Sequence, residues 1–249
     1  RHTRFLTVSW ARRGGSERAP FSHALIAAEF VITSGSRPRF CISTSSSSAS
    51  SLISTSAAAY IIGQLKSEIN IPFGVNMLWD PMATVALGAT TGATFVREIF
   101  TGSYASDMGN WTADAGKAMR YRDQLNRKDM LMLFNVSAEF AYSLDQRSLA
   151  DRAKSVAFSS IPDAILVSGQ ITGEAADLSE LKMVKDTVSN LPVLANTGVK
   201  HETVEEIFRI ADGCIVGSAL KYSGDTWQSV DPDRAKDFME RVKKIRSQI

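Results

Sequence analysis

An α/β chain closing a TIM-type (β/α)8 barrel is what this sequence predicts, and three observations carry the prediction. Six apolar runs of about five residues alternate with helical patterns of ten to fifteen, the spacing of repeated βα units. None of the six alternates strictly between apolar and polar, as expected of parallel strands covered on both faces. The last two runs each empty into a glycine-containing turn, which is how the closing units of such a barrel place backbone N–H groups side by side. A length of 249 residues, 44% apolar and 22% charged, suits one barrel. An open doubly wound sheet is the alternative architecture.

From Ala57 the elements follow in order. SAAAYIIGQLKSEI is amphipathic and stops before Asn70-Ile71-Pro72, and Pro72 to Leu78 (PFGVNML) is the first clear strand. Asp80-Pro81 starts a helix, MATVALGATTG, because Pro is tolerated in a first turn and Asp caps it. Thr94 to Phe100 (TFVREIF) is a strand followed by a long loop, TGSYASDMGNW. Thr112 to Leu125 is helical, Asp129 to Ser137 a strand, Gln146 to Phe158 helical, and Asp163 to Gly169 a strand. Asp177 caps a helix from Leu178 to Val188. The strand ending in Asn196-Thr197-Gly198, a short helix, and the strand ending in Gly217-Ser218 close the pattern, and a helix from Asp233 to about Ser247 follows.

Residues 1–56 read differently, so the chain divides into an irregular leader (1–56) and a barrel domain (57–249). The leader holds seven arginines against two acids, Glu17 and Glu29, and a low-complexity tract, CISTSSSSASSLISTS, expected to be loosely ordered. Its composition is open to three readings: an organellar targeting segment, a disordered leader, or a gene-model artefact. A first residue of Arg rather than Met suggests a fragment or a processed product. Within it only Phe5–Trp10 and Ile26–Ile32 are strand candidates, so the first two barrel strands are atypical or missing. If they are missing, an open sheet edge makes the chain aggregate.

A formal charge of +2 argues against nucleic acid as a partner. No apolar run is long enough for a transmembrane helix, while peripheral membrane association and homo-oligomerisation stay open. Two cysteines make no disulfide framework; Cys214 reads as a small buried hydrophobe, which suits a reducing compartment, cytoplasmic or organellar.

In a barrel the chemistry comes from polar residues at the C-terminal strand ends. Here these are Asn76, Arg97, Glu98, Asn135, Ser168, Asn196, Thr197, Gly217 and Ser218. Gly198-Val199 and Gly217-Ser218 are the anion-binding candidates, since glycine admits close backbone approach; alone, each glycine could equally make only a tight turn. With Asn76 and Asn196 they form the expected ligand-binding set. Glu98 is the leading acid/base candidate, catalytic or structurally ion-paired, with Asn135 and the loop residue Asp107 beside it. If Phe95 packs on the helices, Glu98 faces the lumen and Arg97 does not. Asp107 could ligate a divalent cation such as Mg2+, touch a sugar hydroxyl, or cap its loop. His201 reads as a surface residue. No metal-ligand spacing, P-loop, dinucleotide fingerprint or nucleophile elbow is present.

The block PFGVNMLWDPMATVALGATTGATFVREIFTGSYASDMG, with DAILVSGQITGEAADLSELKMVK, PVLANTGVKHETVEEI, ADGCIVGSALK and WQSVDPDRAKDFM, resembles the BtpA family over Ala57 to about Val242. The resemblance implies a TIM barrel related to phosphate-binding barrels, with the anion at Gly198-Val199 and Gly217-Ser218. It also implies a family known by association, through photosystem I biogenesis in cyanobacteria and SgcQ-type proteins in bacteria, with no reaction to carry over. The family's usual start, a strand into a proline-glycine turn and a second strand into Asn, has no counterpart in residues 1–56. Two functions follow as expectations: an enzyme or binder of a small phosphorylated metabolite (a sugar phosphate or nucleotide), or an assembly factor acting through protein contacts.

Overall fold

The computed structural model describes residues 25–33, 39–45, 51–107, 109–171 and 173–248. The candidate strand Phe5–Trp10 lies outside them. β1 (Leu25–Thr33) and β2 (Arg39–Ser45) are followed by α1 (Ser51–Leu65), so the end of the serine-rich tract is helical rather than loose. β3 (Phe73–Leu78) leads into α2 (Pro81–Thr91), with Asp80 Oδ1 accepting from Ala83 N at the expected cap. β4 (Phe95–Glu98) is followed by two short strands, β5 (Ser103–Ser106) and β6 (Gly109–Thr112), then by α3 (Ala115–Gln124). β7 (Leu131–Asn135), a third short strand β8 (Ala141–Ser143) and α4 (Leu149–Ser159) come next. β9 (Ala164–Val167) precedes α5 (Leu178–Thr187), where Asp177 accepts from Ser179 N and Glu180 N. β10 (Val193–Ala195), α6 (Val204–Ile210), β11 (Gly213–Val216) and α7 (Pro232–Arg246) complete the chain.

The strands form a ring in the order β1-β11-β10-β9-β7-β4-β3-β2. The six strands legible in the sequence are mutually parallel, and β2 runs parallel to β3, from Phe40 opposite Phe73 to Ser45 opposite Leu78. β1 is antiparallel to both neighbours, with Phe30 opposite both Phe40 and Val216. The reversal has a simple cause. The link from Thr33 to Arg39 is far shorter than a parallel crossover requires, so the pair can only form a hairpin. The barrel is thus an atypical (β/α)8 form in which a hairpin replaces the first βα unit, and it leaves no open edge in this sheet.

Two apolar layers result. One lies between strands and helices and contains Val75, Met77, Val96, Met132, Phe134 and Val167 with residues of the helices. The other fills the lumen with Phe95, Leu133, Ala164, Leu166, Leu194 and Ile215. Gly74 makes room for this filling, because a Cβ there would run into the Phe95 ring. Cys214 is fully buried, and burial pushes its thiol up to about 12.

Beyond β4 and β7 the connections build a second sheet, ordered β6-β5-β8. TGSYASDMGNW is therefore a hairpin rather than a loop. Tyr104, Ile99 and Ala138 form its small core, and Trp111 packs 5.6 Å from both Tyr104 and Trp79. This aromatic group covers the β3–β4 side of the barrel mouth and leaves the β10–β11 side open.

Arg127 ties α2 to the barrel from the opposite end. Its guanidinium donates to Gly88 O, Ala89 O and Ala93 O at 3.2, 3.2 and 2.7 Å; Gly88 O also accepts from Gly92 N and Ala93 N, so Arg127 adds to the C-terminal cap of α2. Arg127→Ala is expected to cost about 2 kcal/mol, the scale of charge-assisted hydrogen bonds to partly buried acceptors. Urea unfolding measures this, and a loss below about 0.5 kcal/mol would show that water caps the helix equally well.

Candidate functional site

The two-residue period of a strand sets the polar layer of the mouth. Two positions after each lumen residue stands a polar or small one: Gly74 is followed by Asn76, Phe95 by Arg97, Leu133 by Asn135, Leu166 by Ser168, Leu194 by Asn196 and Ile215 by Gly217. Asn76, Arg97, Asn135, Ser168 and Asn196 are all buried, at 2, 9, 5, 5 and 4% exposure, so each must find partners inside the barrel. Arg97 Nη1 donates to Asn196 Oδ1 at 2.7 Å, from β4 to the end of β10. Asn196 Nδ2 and Asn135 Nδ2 donate to Ser168 Oγ at 2.6 and 2.8 Å.

This corrects the strand phase expected for β4. Phe95 packs in the lumen, so Arg97 faces inward and Val96 and Glu98 take the opposite phase. Glu98 is 2% exposed and turns its carboxylate towards the end of β3, where Trp79 N donates to Oε1 at 3.1 Å and Asn76 Nδ2 donates to Oε2. Burial pushes Glu98 up to about 7; hydrogen bonds from Ile99, Trp79 and Asn76 and the Arg97 charge pull the other way. Trp79 holds a left-handed φ of 71°, and its bond to Glu98 helps to fix that conformation.

The open side of the mouth is a cavity of about 290 Å³ at the ends of β10 and β11. Asn196, Gly198, Val199, Gly217 and Ser218 line it, so five of the six expected ligand-binding residues meet there. Asn76 does not, its amide being committed to Glu98 and to Arg97 O at 2.5 Å. The three expected catalytic residues do not line it either. Glu98 is buried and bonded to Trp79 N and the Asn76 amide, and Asp107 is exposed at the turn between β5 and β6. Asn135 donates to Ser168 Oγ, which also accepts from Asn196, so it is linked to the cavity through Ser168.

Of the other lining residues, Lys200 and His201 begin the turn that follows the Gly198-Val199 candidate, whereas Glu139, Glu202 and Arg234 were not singled out as ligand contacts in the sequence. Lys200 and Arg234 bring positive charge, Glu139 and Glu202 negative charge, and His201 stands exposed at the rim. Arg234 reaches the site from the first turn of α7, and its Nε donates to Ala219 O at 3.0 Å. Ser218 Oγ pairs with Thr226 Oγ1 at 2.7 Å. Glu139 sits after β7 with no motif around it; its only sequence signal is its place just beyond a strand end. Among the described residues, the N–H groups of Gly198, Val199, Gly217 and Ser218 meet no protein acceptor, and no group of three His, Cys, Asp or Glu side chains could hold a metal ion.

The ring of strands, the lumen packing and the cavity at the C-terminal strand ends define a TIM-type barrel with a polar mouth. The chain belongs to the BtpA family, whose model matches residues 46–244. It is 48% identical over 192 residues to the sgc region protein SgcQ of Escherichia coli (strain K12), covering 77% of this chain and 72% of that protein. It is 29% identical over 189 residues to the photosystem I biogenesis protein BtpA of Synechocystis sp. (strain ATCC 27184 / PCC 6803 / Kazusa), covering 75% of this chain and 66% of that one. Among solved structures it is similar to phosphoribosyl anthranilate isomerase from Thermus thermophilus, with a TM-score of 0.52 over 77% of this chain and 80% of that chain. At 12% identity that likeness bears on the fold alone. No helix among the described residues is long and apolar enough to cross a membrane.

Proposed function

We propose that the chain binds, and acts on, a small phosphorylated metabolite at the open side of the barrel mouth. The anion sits against the Gly198-Val199 and Gly217-Ser218 turns. The observation that carries this reading is the meeting of those turns in one cavity, with four N–H groups that no protein acceptor satisfies and with Lys200 and Arg234 on its wall. Unpaired N–H groups next to cations are what a phosphate requires, because its oxygens accept several hydrogen bonds and its charge needs neutralising. A cavity of about 290 Å³ is at the small end of ligand sites, so a sugar phosphate fits it better than a nucleotide.

The test is thermal unfolding with inorganic phosphate and a panel of pentose and hexose phosphates. A ligand at a hundred times its Kd is expected to add about 2.7 kcal/mol, roughly 5–10 °C for a chain of this size. Gly217→Leu, which fills the turn, is expected to abolish the rise. A melting temperature indifferent to every phosphate would overturn the reading.

A second reading has one observation in its favour. Tyr142 in β8, an edge strand of the small sheet, and Phe140 and Leu144 on either side of that strand are 79, 50 and 53% exposed at alternating positions. An apolar row on an open strand edge suits a protein contact, as an assembly factor of the photosystem I or membrane-complex kind would need. Unfolding indifferent to phosphates would favour it.

A further inference from the structure

We propose that Glu139 recognises the unphosphorylated end of the ligand by accepting a hydrogen bond from a hydroxyl group, which makes the ligand a polyhydroxylated phosphate ester. This rests on the reading of the cavity as an anion site and names the chemistry at its other end.

Hydrogen-bond accounting in the lumen supports the assignment. Ser168 Oγ accepts from Asn135 Nδ2 at 2.8 Å and from Asn196 Nδ2 at 2.6 Å. A hydroxyl oxygen has two acceptor positions, so both are used and the Ser168 O–H is left to donate. Its acceptor is Glu139 Oε1, at 3.5 Å. Asn196 Nδ2 also reaches that oxygen, at 3.2 Å. Asn196 is itself oriented by Arg97, which holds its Oδ1 at 2.7 Å. Every donor in the chain therefore points the same way. Arg97 fixes Asn196, Asn196 and Asn135 fix Ser168, and both Asn196 and Ser168 donate to Glu139.

The backbone holds Glu139 in place as well. Ala138 is buried in the core of the small sheet, and Phe140 N donates to Gln170 O at 2.9 Å. The buried network thus reaches a carboxylate that lines the same cavity as Gly217 and Ser218. A carboxylate repels a phosphate, so it does not belong to the anion end. What it does recognise is an O–H donor, and a site built to pair with a hydroxyl discriminates strongly against ligands lacking one. Arg97, Asn135, Asn196 and Ser168 act through Glu139 as positioning residues, although Asn196 also lines the cavity.

Calorimetric titration with four probes tests this: inorganic phosphate, n-butyl phosphate, a panel of pentose and hexose phosphates, and free ribose. The wild-type protein is expected to bind at least one sugar phosphate ten times or more tighter than butyl phosphate. Glu139→Leu is expected to bring the two within about twofold while leaving inorganic phosphate unchanged. Ser168→Ala, which removes the donor to Glu139 and the acceptor shared by Asn135 and Asn196, moves selectivity in the same direction and provides a second variant should Glu139→Leu fail to fold. Equal affinity for sugar and butyl phosphates in the wild type, or selectivity that survives both substitutions, overturns the inference while the anion site stands. Ribose binding that depends on Glu139, with no binding of inorganic phosphate, supports Glu139 and sinks the anion site. Absence of binding by all four probes overturns both.

Discussion

Replacing Gly198 with Ala is expected to destabilise the barrel by about 3–5 kcal/mol, a large share of the stability of an ordinary domain. Gly198 has φ 62°, a left-handed conformation costing a residue with a side chain about 1 kcal/mol or more. An added Cβ would also sit inside contact distance of the Ala175 nitrogen and the Glu174 carbonyl carbon. Those atoms belong to backbone and cannot rotate away, so the β9–α5 connection would have to move, adding the cost of overpacking. Gly63 provides the control. It lies within α1, where an added Cβ would meet nothing within 4 Å, so Gly63→Ala is expected to stabilise by about 0.5–1 kcal/mol. Urea unfolding of the two variants measures both. Equal and small effects would mean that the connection at 174–175 yields freely and that Gly198 serves the ligand alone.

The second large effect is a dependence on pH carried by Glu98. Its value in the folded protein is about 7, against an ordinary value of 4.5, and burial is the main cause. Below about pH 4.5 the group is protonated in folded and unfolded chains alike, and no difference arises. Between 4.5 and 7 the unfolded chain ionises while the folded chain keeps its proton, so folded stability falls as pH rises. Above 7 the folded protein holds a buried carboxylate, and the loss is complete at about 3 kcal/mol. Unfolding free energies of wild type and Glu98→Gln at pH 5 and pH 8 isolate this contribution from other carboxylates. The difference between the two proteins is expected to move against the wild type by about 2–3 kcal/mol over that range. A constant difference would place Glu98 back at an ordinary value and remove the proton from beneath Trp79.

The parallel part of the barrel was legible because its strands are short, apolar and regularly spaced. The turns at Gly198 and Gly217 were legible because glycine and polar residues interrupt apolar runs at fixed places. What failed was phase. A strand covered on both sides is apolar on both sides, so TFVREIF does not reveal whether Phe95 or Val96 faces the lumen. Only the partner of Arg97, on a strand 99 residues away, decides it. Arg97 and Glu98 were both marked as mouth residues, but they exchanged roles. β2 escaped notice because RFCISTS is half polar and runs into serines, and its pairing with β3 and β1 is what makes it a strand. The small sheet hid for the same reason in SYAS and GNWT, whose apolar residues are only Tyr104, Ala105 and Trp111. Glu139 is an isolated carboxylate in a connection, and its importance comes from contacts to residues 29 and 57 positions away. No local pattern could announce it.

The hairpin of β1 and β2 has a consequence for how the ring is made. Its two strands are neighbours in sequence and can zip together as soon as they leave the ribosome, with β3 adding to β2 shortly after. The other side of β1 must wait for β11, because Phe30 finds Val216 only when nearly the whole barrel has been synthesised. Until then the growing sheet has two unsatisfied borders, one at β1 and one that advances strand by strand through β4, β7, β9 and β10. Closing so long a loop is slow compared with adding a neighbouring unit. The nascent chain therefore passes most of its synthesis as an open ribbon with a ready-made hairpin at one margin. A chain stopped before Gly213 would keep both borders and offer them to other copies of itself.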